Sequence, residues 1–337
     1  MTHFPAGLAT SWVPVALSKE LRKRPLARRV GGTPIVLFRS ADGVSALKDR
    51  CPHRNYPLSD GKVVNGAIRC AYHGWRFDGS GACIDIPGAE ANAELSRLGA
   101  ERIAAAEQHG AIFVRMEGGE SSAPFLAPPL IGDPAYDHFW YTRAPWRGRP
   151  IDALENILDP FHTNFIHDGL IRDSRKRQLV RQTLAFREGG FEVTYEQQAP
   201  DRGWMSRLLE GERTRSSGRY LAPITFQGRW ESSKGLTLCA TAFFVPETPD
   251  TYRPFGCWTT PKGLAPAWLK RAAILGFVRV VAEQDRVALE KQHNTIAAFG
   301  APRFKSGPTD LVHAALSQLY IEGAAPVRAP ESRSIWL

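Results

Sequence analysis

The sequence predicts an α+β protein in two parts: an all-β N-terminal part, then a larger part in which an antiparallel sheet is flanked by helices. Three observations carry this reading. The first third consists of short strand-like runs bounded by Gly, Asp and Ser, with weak helical periodicity. Later strand-like runs follow one another without intervening helices, which favours antiparallel pairing. Two helical stretches bracket those later runs. The 337 residues suffice for about two domains of roughly 150 residues. The stretch "GGESSAPFLAPP", Gly118 to Pro129, is rich in Gly, Ser, Ala and Pro and reads as a linker. The boundary is therefore expected near 120, dividing the chain into 1–120 and 121–337.

In the first part, "TPIVLFRS" (Thr33 to Ser40), "VSALKD" (Val44 to Asp49) and "AIFVRM" (Ala111 to Met116) are the expected strands. In the second part, "FEVTYE" (Phe191 to Glu196) alternates apolar and polar residues, as a half-buried strand should. "GLTLCATAFFV" (Gly235 to Val245) and "FGCWTT" (Phe255 to Thr260) are the next strands. One helical stretch is expected around Ile151 to His167, the other over Ala265 to Asn294.

Composition narrows the function classes. Hydrophobic content of 43% and charged content of 23% are those of a globular protein, not a disordered one. The N-terminus lacks a basic segment followed by a long apolar run, so no signal peptide is expected. The apolar run "AAILGFVRVVA", Ala272 to Ala282, is interrupted by Arg279 and is too short to span a bilayer. A cytoplasmic protein is expected. Five cysteines are too few for a disulfide scaffold, and in a reducing compartment cysteine pairs read as metal ligands. Cys83, Cys239 and Cys257 stand alone and are expected to be small buried hydrophobes. The formal net charge is +9, with the densest basic cluster at Arg172, Arg175, Lys176, Arg177 and Arg181. That cluster suits a solvated face or the docking of an acidic redox partner. No nucleic-acid-binding module accompanies the charge.

The chemistry concentrates in "CPHRNYPLSDGKVVNGAIRCAYHGW", Cys51 to Trp75. It presents Cys51–x–His53 and Cys70–x–x–His73, with sixteen residues between the pairs. Thiolate and imidazole together suit zinc or an iron–sulfur centre. Each pair is mixed, unlike the Cys, Cys, His, His order of a zinc finger. Two loops would each offer one Cys and one His, so the thiolates and the imidazoles could face different metal ions. A Rieske [2Fe–2S] centre needs that division.

These residues, with the flanks "CPHR" and "YHGW", resemble the Rieske signature. Family members usually carry Pro after the second Cys, where this chain has Ala71; no ligand is affected. Rieske proteins of respiratory complexes carry two further cysteines that form a disulfide beside the cluster. Tyr56 and Tyr72 stand at those positions here, so the chain resembles the oxygenase branch.

The second part offers another metal-ligand set in "ENILDPFHTNFIHDG", Glu155 to Gly169. Two neutral His and a carboxylate form the facial triad of non-haem Fe(II) oxygenases. On a helix Asp159 and His162 would lie about 60° apart, but His162 and His167 about 140° apart, so the segment must bend or end between them. Pro160 supports a break. In Rieske non-haem iron oxygenases, the family resembled, the Asp of this motif bridges a cluster His to an iron His. The resemblance therefore implies that Asp159 is the bridge and that His162 and His167 are iron ligands. It places the iron carboxylate on a later helix, with Asp285 the candidate and Glu283 the runner-up. Asn156, one turn before the bridge, is a candidate to orient it or to approach the iron. Phe161, Phe165 and Ile166 are candidate pocket walls, with core packing the alternative. No arginine is assignable to a substrate carboxylate.

The resemblance is to the terminal oxygenase component, on the vanillate/dicamba demethylase-like branch. It implies a helix-grip, START-like catalytic domain, a Rieske [2Fe–2S] cluster, a mononuclear Fe(II), and electrons from NAD(P)H through a separate ferredoxin or flavin reductase. The implied reaction is O2-dependent monohydroxylation or oxidative demethylation of a small aromatic or polycyclic substrate by a homotrimer. The residues leave open a cis-dihydroxylating dioxygenase α subunit, a pure Rieske electron carrier and a structural zinc protein.

Overall fold

The computed structural model describes residues 4–90, 93–118, 128–172, 174–175, 179–197, 213–232, 235–263, 265–324 and 328–337. Most of the expected linker, residues 119–127, lies outside the described residues, as do Lys176 and Arg177 of the basic cluster. Two units emerge. One comprises Leu8–Leu126 with Val245–Pro249; the other comprises Met1–Gly7, Ala127–Phe244 and Asp250–Leu337.

Among its described residues between Leu8 and Leu126, the first unit has ten strands and two short 3₁₀ turns. The strands are β1 (Val13–Leu17), β2 (Leu26–Val30), β3 (Thr33–Ser40), β4 (Gly43–Lys48), β5 (Lys62–Val64), β6 (Ala67–Arg69), β7 (Arg76–Phe77), β8 (Cys83–Asp85), β9 (Arg102–Gln108) and β10 (Ala111–Arg115). Six form a sheet in the order β1-β10-β9-β4-β3-β2, and β5-β6-β7-β8 form a second, smaller sheet. The β5–β6 turn is Asn65–Gly66, both at positive φ, as a two-residue hairpin turn requires. It fixes the pairing of Val64 with Ala67. Val36, Phe38, Leu47, Leu58, Ile68 and Phe77 form a core that also takes in Cys51 and Cys70. The small sheet thus anchors the loops that carry both cysteines.

In the second unit the strands are β11 (Tyr136–Thr142), β12 (Trp146–Arg147), β13 (Leu179–Arg187), β14 (Gly190–Gln197), β15 (Arg213–Leu221), β16 (Thr225–Ser232), β17 (Gly235–Thr248), β18 (Thr251–Pro261) and β19 (Glu331–Trp336). Their order is β11-β18-β17-β16-β15-β14-β13-β19, with β12 also on β18. Each registered pair is antiparallel. Among the described residues three α-helices accompany the sheet: α1 (Pro150–Leu158), α2 (Ala267–Phe299) and α3 (His313–Glu322). Ala153, Leu154 and Leu158 of α1 join Leu184, Phe191, Val193 and Tyr220 of the sheet and Leu316 and Leu319 of α3 in one buried cluster. A buried leucine or phenylalanine contributes about 1.5–3 kcal/mol, so this cluster holds α1 firmly.

One expected helix is shorter than the periodicity implied. The stretch Ile151 to His167 is helical only to Leu158, where Asp159 turns extended at φ −85°, ψ 120°. The residue before a proline avoids the helical region, and Pro160 follows. A 3₁₀ turn, Phe161–Asn164, then carries His162. The strand β19 and the helix α3 add to the elements expected from the sequence. Cys83, Cys239 and Cys257 are buried, as expected.

Candidate metal centres

The two cysteine loops of the first unit share one backbone plan. Cys51 N–H donates to Tyr56 O at 2.8 Å and Asn55 N–H to Cys51 O at 2.9 Å. Cys70 N–H donates to Trp75 O at 2.9 Å and Gly74 N–H to Cys70 O at 3.1 Å. The fifth residue of each loop, Asn55 or Gly74, has positive φ. Asn and Gly are the residues that adopt this conformation most readily. At Gly74 a Cβ would also come within 2.8 Å of Pro87 Cγ. The loops differ in where the histidine sits, at the third residue in one and the fourth in the other, which is the difference between C-x-H and C-x-x-H.

Both thiols are buried, whereas His53 is half-buried and His73 exposed. The two imidazole centroids are 4.5 Å apart, and the His53 ring stacks on Trp75 at 4.6 Å with planes 4° apart. Burial first, then the neighbouring His73 charge, lowers the His53 pKa and favours its neutral, ligating form. Its Nδ1 is buried without a hydrogen-bond partner. Burial also pushes the Cys51 thiol up to about 11, so only a nearby cation would hold the thiolate there. An orphaned imidazole nitrogen beside two buried thiols fits a metal–sulfur group.

In the second unit, His162, His167 and Asp285 offer ligand atoms that all lie within 4.8 Å of one another. They arrive by three routes: the 3₁₀ turn after α1, the irregular segment that follows it, and the middle of α2. The hydrogen bonds around them decide their chemistry. The Asp159 carbonyl lies 2.6 Å from His162 Nδ1, and Gln284 Oε1 lies 2.8 Å from His167 Nδ1. Both oxygens accept, so each Nδ1 carries the proton and each Nε2 presents a lone pair. Those nitrogens face Asp285 Oδ1 at 3.7 Å and 3.1 Å. His167 Nε2 is wholly buried and lacks a hydrogen-bond partner, the 3.1 Å approach being out of alignment. Three acceptors converging in a buried site repel one another unless a cation sits among them. The donor set, two imidazoles and a carboxylate, suits Fe(II).

The ionisation pattern follows from the same geometry. Burial lowers the His162 pKa despite the Asp285 charge. At His167 burial also acts downward, but the Asp285 carboxylate and the Gln284 amide outweigh it and the pKa is raised. Asn156 Nδ2 donates to Asp285 Oδ1 at 3.0 Å, so this amide addresses the carboxylate of α2. Glu283 points elsewhere, exposed and paired with Arg286.

Asp159 differs from expectation in detail. Its carbonyl, not its carboxylate, meets His162; the carboxylate accepts Phe161 N–H at 2.9 Å. The extended conformation before Pro160 turns the carbonyl inward. Burial raises the Asp159 pKa.

The triad lines a cavity of about 250 Å³ in the second unit. Trp146, Phe226, Trp230, Phe244 and Trp258 from the sheet and Phe277 from α2 supply aromatic walls. Phe161, Phe165 and Ile166 are not among the lining residues: Phe161 packs on the core, and Phe165 and Ile166 are exposed. The 3₁₀ turn rotates those side chains away from the histidines it aims inward. Arg172, expected on a solvated or partner-docking basic face, is instead buried and lines the cavity. Gln284 was missed because its partner His167 lies 117 residues away.

A β-domain with mixed Cys/His loops and a helix-flanked sheet with a buried His/His/Asp triad define a two-centre metalloprotein class. Residues 11–100 match the Rieske [2Fe-2S] domain family, and residues 151–316 match the vanillate O-demethylase oxygenase C-terminal domain. The chain belongs to the Rieske non-haem iron oxygenases. It is 36% identical over 183 residues to the oxygenase component of dicamba O-demethylase from Stenotrophomonas maltophilia, covering 52% of each chain. It is 30% identical over 231 residues to the chloroplastic protein TIC 55 of Pisum sativum, covering 65% of this chain and 39% of that one. These alignments thus span about half or less of the relatives' length. The fold matches the crystal structure of dicamba monooxygenase bound to dicamba, with a TM-score of 0.75, 22% identity, and 92% and 96% of the two chains covered. A Rieske domain holds a [2Fe–2S] cluster, and this family uses a mononuclear iron and a separate reductase.

Proposed function

We propose that this chain is a terminal oxygenase that monohydroxylates or oxidatively demethylates a small aromatic or polycyclic substrate. The observation that carries the reading is the convergence of three acceptors, His162, His167 and Asp285, on the wall of an aromatic-lined cavity. The demethylase named among its relatives supports the reaction type. Cys51, His53, Cys70 and His73 would hold the cluster, and His162, His167 and Asp285 the ferrous ion. Bound there, these groups would supply single electrons and the capacity to bind and reduce O2.

The protein's own residues do the positioning. Gln284 and the Asp159 carbonyl fix the histidine tautomers, and Asn156 holds the Asp285 carboxylate. The apolar walls exclude water around a bound ring, which strengthens each polar contact at the reacting end. Asp159 is the proposed link between His162 and the cluster of a neighbouring copy in a homotrimer. Its carbonyl serves His162 and its Oδ1 accepts Phe161 N–H, so its Oδ2 is the atom proposed to face the neighbouring cluster. A ferredoxin or flavin reductase supplies electrons from NAD(P)H in the cytoplasm. The proposed division of labour is a cluster domain over 1–120 and a catalytic domain over 121–337.

The test compares Asp285→Asn with Glu283→Gln in the holoenzyme. Substrate-dependent O2 consumption is measured with a surrogate reductase over a panel of aromatic ethers. Asp285→Asn abolishes consumption and Glu283→Gln leaves it within about twofold, as for a surface substitution away from the site. Equal rates in both variants overturn the assignment.

A further inference from the structure

The metal centres leave one feature of α2 unexplained. The helix supplies Asp285 and Gln284 from its middle, and Phe277, Val278 and Val281 to the cavity wall. Yet the opposite side of its first half is apolar as well. Trp268 is 70% exposed, and Leu269 and Val280 are each 47% exposed. Ala272, Ala273 and Gly276 are exposed between them. The spacing 269, 273, 276, 280 is that of one helical face. A helix that is apolar on both sides is ordinarily enclosed on both, whereas this one is covered on one.

Charge says what suits the open face. From Lys262 to Ala282 the sequence contains Lys262, Lys270, Arg271 and Arg279 and no Asp or Glu. Lys262, Arg271 and Arg279 are exposed, while Lys270 is tied to Asp137. Acidic residues resume at Glu283, which pairs with Arg286. Exposed Trp and Leu flanked by basic residues, in a stretch without acidic residues and with Asp137 and Glu283 each paired to a base, match a surface that is apolar beneath and negative above. A bilayer of anionic lipid has that profile: the rings enter the headgroup boundary and the guanidinium groups meet phosphates. No helix among the described residues is long and apolar enough to cross a membrane, so the contact is along the surface. We infer that the first half of α2 docks this protein on an anionic membrane surface, independently of the chemistry at the metal centres.

The experiment is flotation of the purified full-chain holoenzyme with vesicles of phosphatidylcholine, alone or with about one-third phosphatidylglycerol. The protein is expected to float with the anionic vesicles, to release at high salt, and to stay behind with the neutral ones. Trp268→Ser/Leu269→Ser is expected to abolish flotation, and Arg271→Glu/Arg279→Glu to weaken it on the order of a hundredfold. All four positions are solvent-facing, so iron content and secondary structure serve as controls that the variants fold. No flotation of the parent protein overturns the inference, as does flotation that is indifferent to lipid charge or to both variants. A face that instead joins copies of the chain shows itself as a parent that does not float and a Trp268→Ser/Leu269→Ser variant with a smaller assembly by light scattering, which also overturns it.

Discussion

The cysteine loops of the first unit and the triad of the second present their proposed metal ligands in opposite ways. Cys51, His53, Cys70 and His73 come from two loops of identical backbone plan, closed by their own N–H···O bonds and separated by one short hairpin. Their thiols point into the core and their imidazoles outward. His162, His167 and Asp285 instead come from a broken helix and from the middle of a distant one, and all three face an internal cavity. The local set leaves its imidazoles toward solvent while hiding its sulfur. A tertiary set hides its open position and depends on the fold for its very existence.

The largest test of that contrast is the removal of one ligand from each set. Cys51→Ser is expected to bleach the visible absorption of the cluster. His167→Ala should leave that spectrum intact and remove about one-third of the iron. Iron analysis beside the absorption spectrum reads both. A His167→Ala protein that also loses its visible bands would show that the two constellations are not independent.

A smaller effect sharpens the comparison at the level of support. In the loops, backbone hydrogen bonds orient the ligands; at His167 a single side chain, Gln284, does so. Gln284→Leu is expected to lower Fe(II) affinity about 10–100-fold, measured by competition with a chromogenic chelator, with the cluster spectrum unchanged. Unaltered affinity would mean that packing alone orients that imidazole.

The smallest effect concerns the scaffold, away from both centres. The hydrogen bond from Arg39 on β3, reinforced by its charge, holds the Glu107 carboxyl on β9 below its ordinary range. A depressed carboxylate stabilises the folded state above its unfolded pKa, and that contribution is lost as pH falls through the folded value. The pair is partly exposed, so Glu107→Gln should cost roughly 0.5 kcal/mol at neutral pH. The cost should vanish in acid, read from urea midpoints across pH, with both metals retained. A pH-independent difference would place the effect in packing rather than charge.

Much of the fold was legible because its signals are local. β3 covers the expected Thr33 to Ser40, and the alternation of Phe191 to Glu196 lies within β14. Pro160 marked the stretch as irregular, but the break expected between His162 and His167 falls earlier, at Asp159, since steric exclusion by a proline ring acts on its immediate neighbour. The cavity walls are not legible locally, for the converse reason. Phe161, Phe165 and Ile166 adjoin the histidines in sequence, but a 3₁₀ turn sends adjacent side chains in different directions. The rings that do line the cavity come from other elements, Trp146 before the histidines and Phe226, Trp230, Phe244, Trp258 and Phe277 well after them.

The sequence by itself determined that there are two metal-ligand constellations and which loops carry the first, because ligand type and spacing are written in contiguous residues. It also determined that the helical stretch is irregular around Pro160, though not that the helix ends at Leu158, before both histidines. Only the tertiary structure decided that Asp285 rather than Glu283 meets the histidines, that Gln284 and a main-chain carbonyl set their tautomers, and that α2 leaves an apolar face open. Those outcomes depend on how a helix is rotated against a sheet. The rotation follows from the sum of packing across the whole unit, which no short stretch of residues encodes.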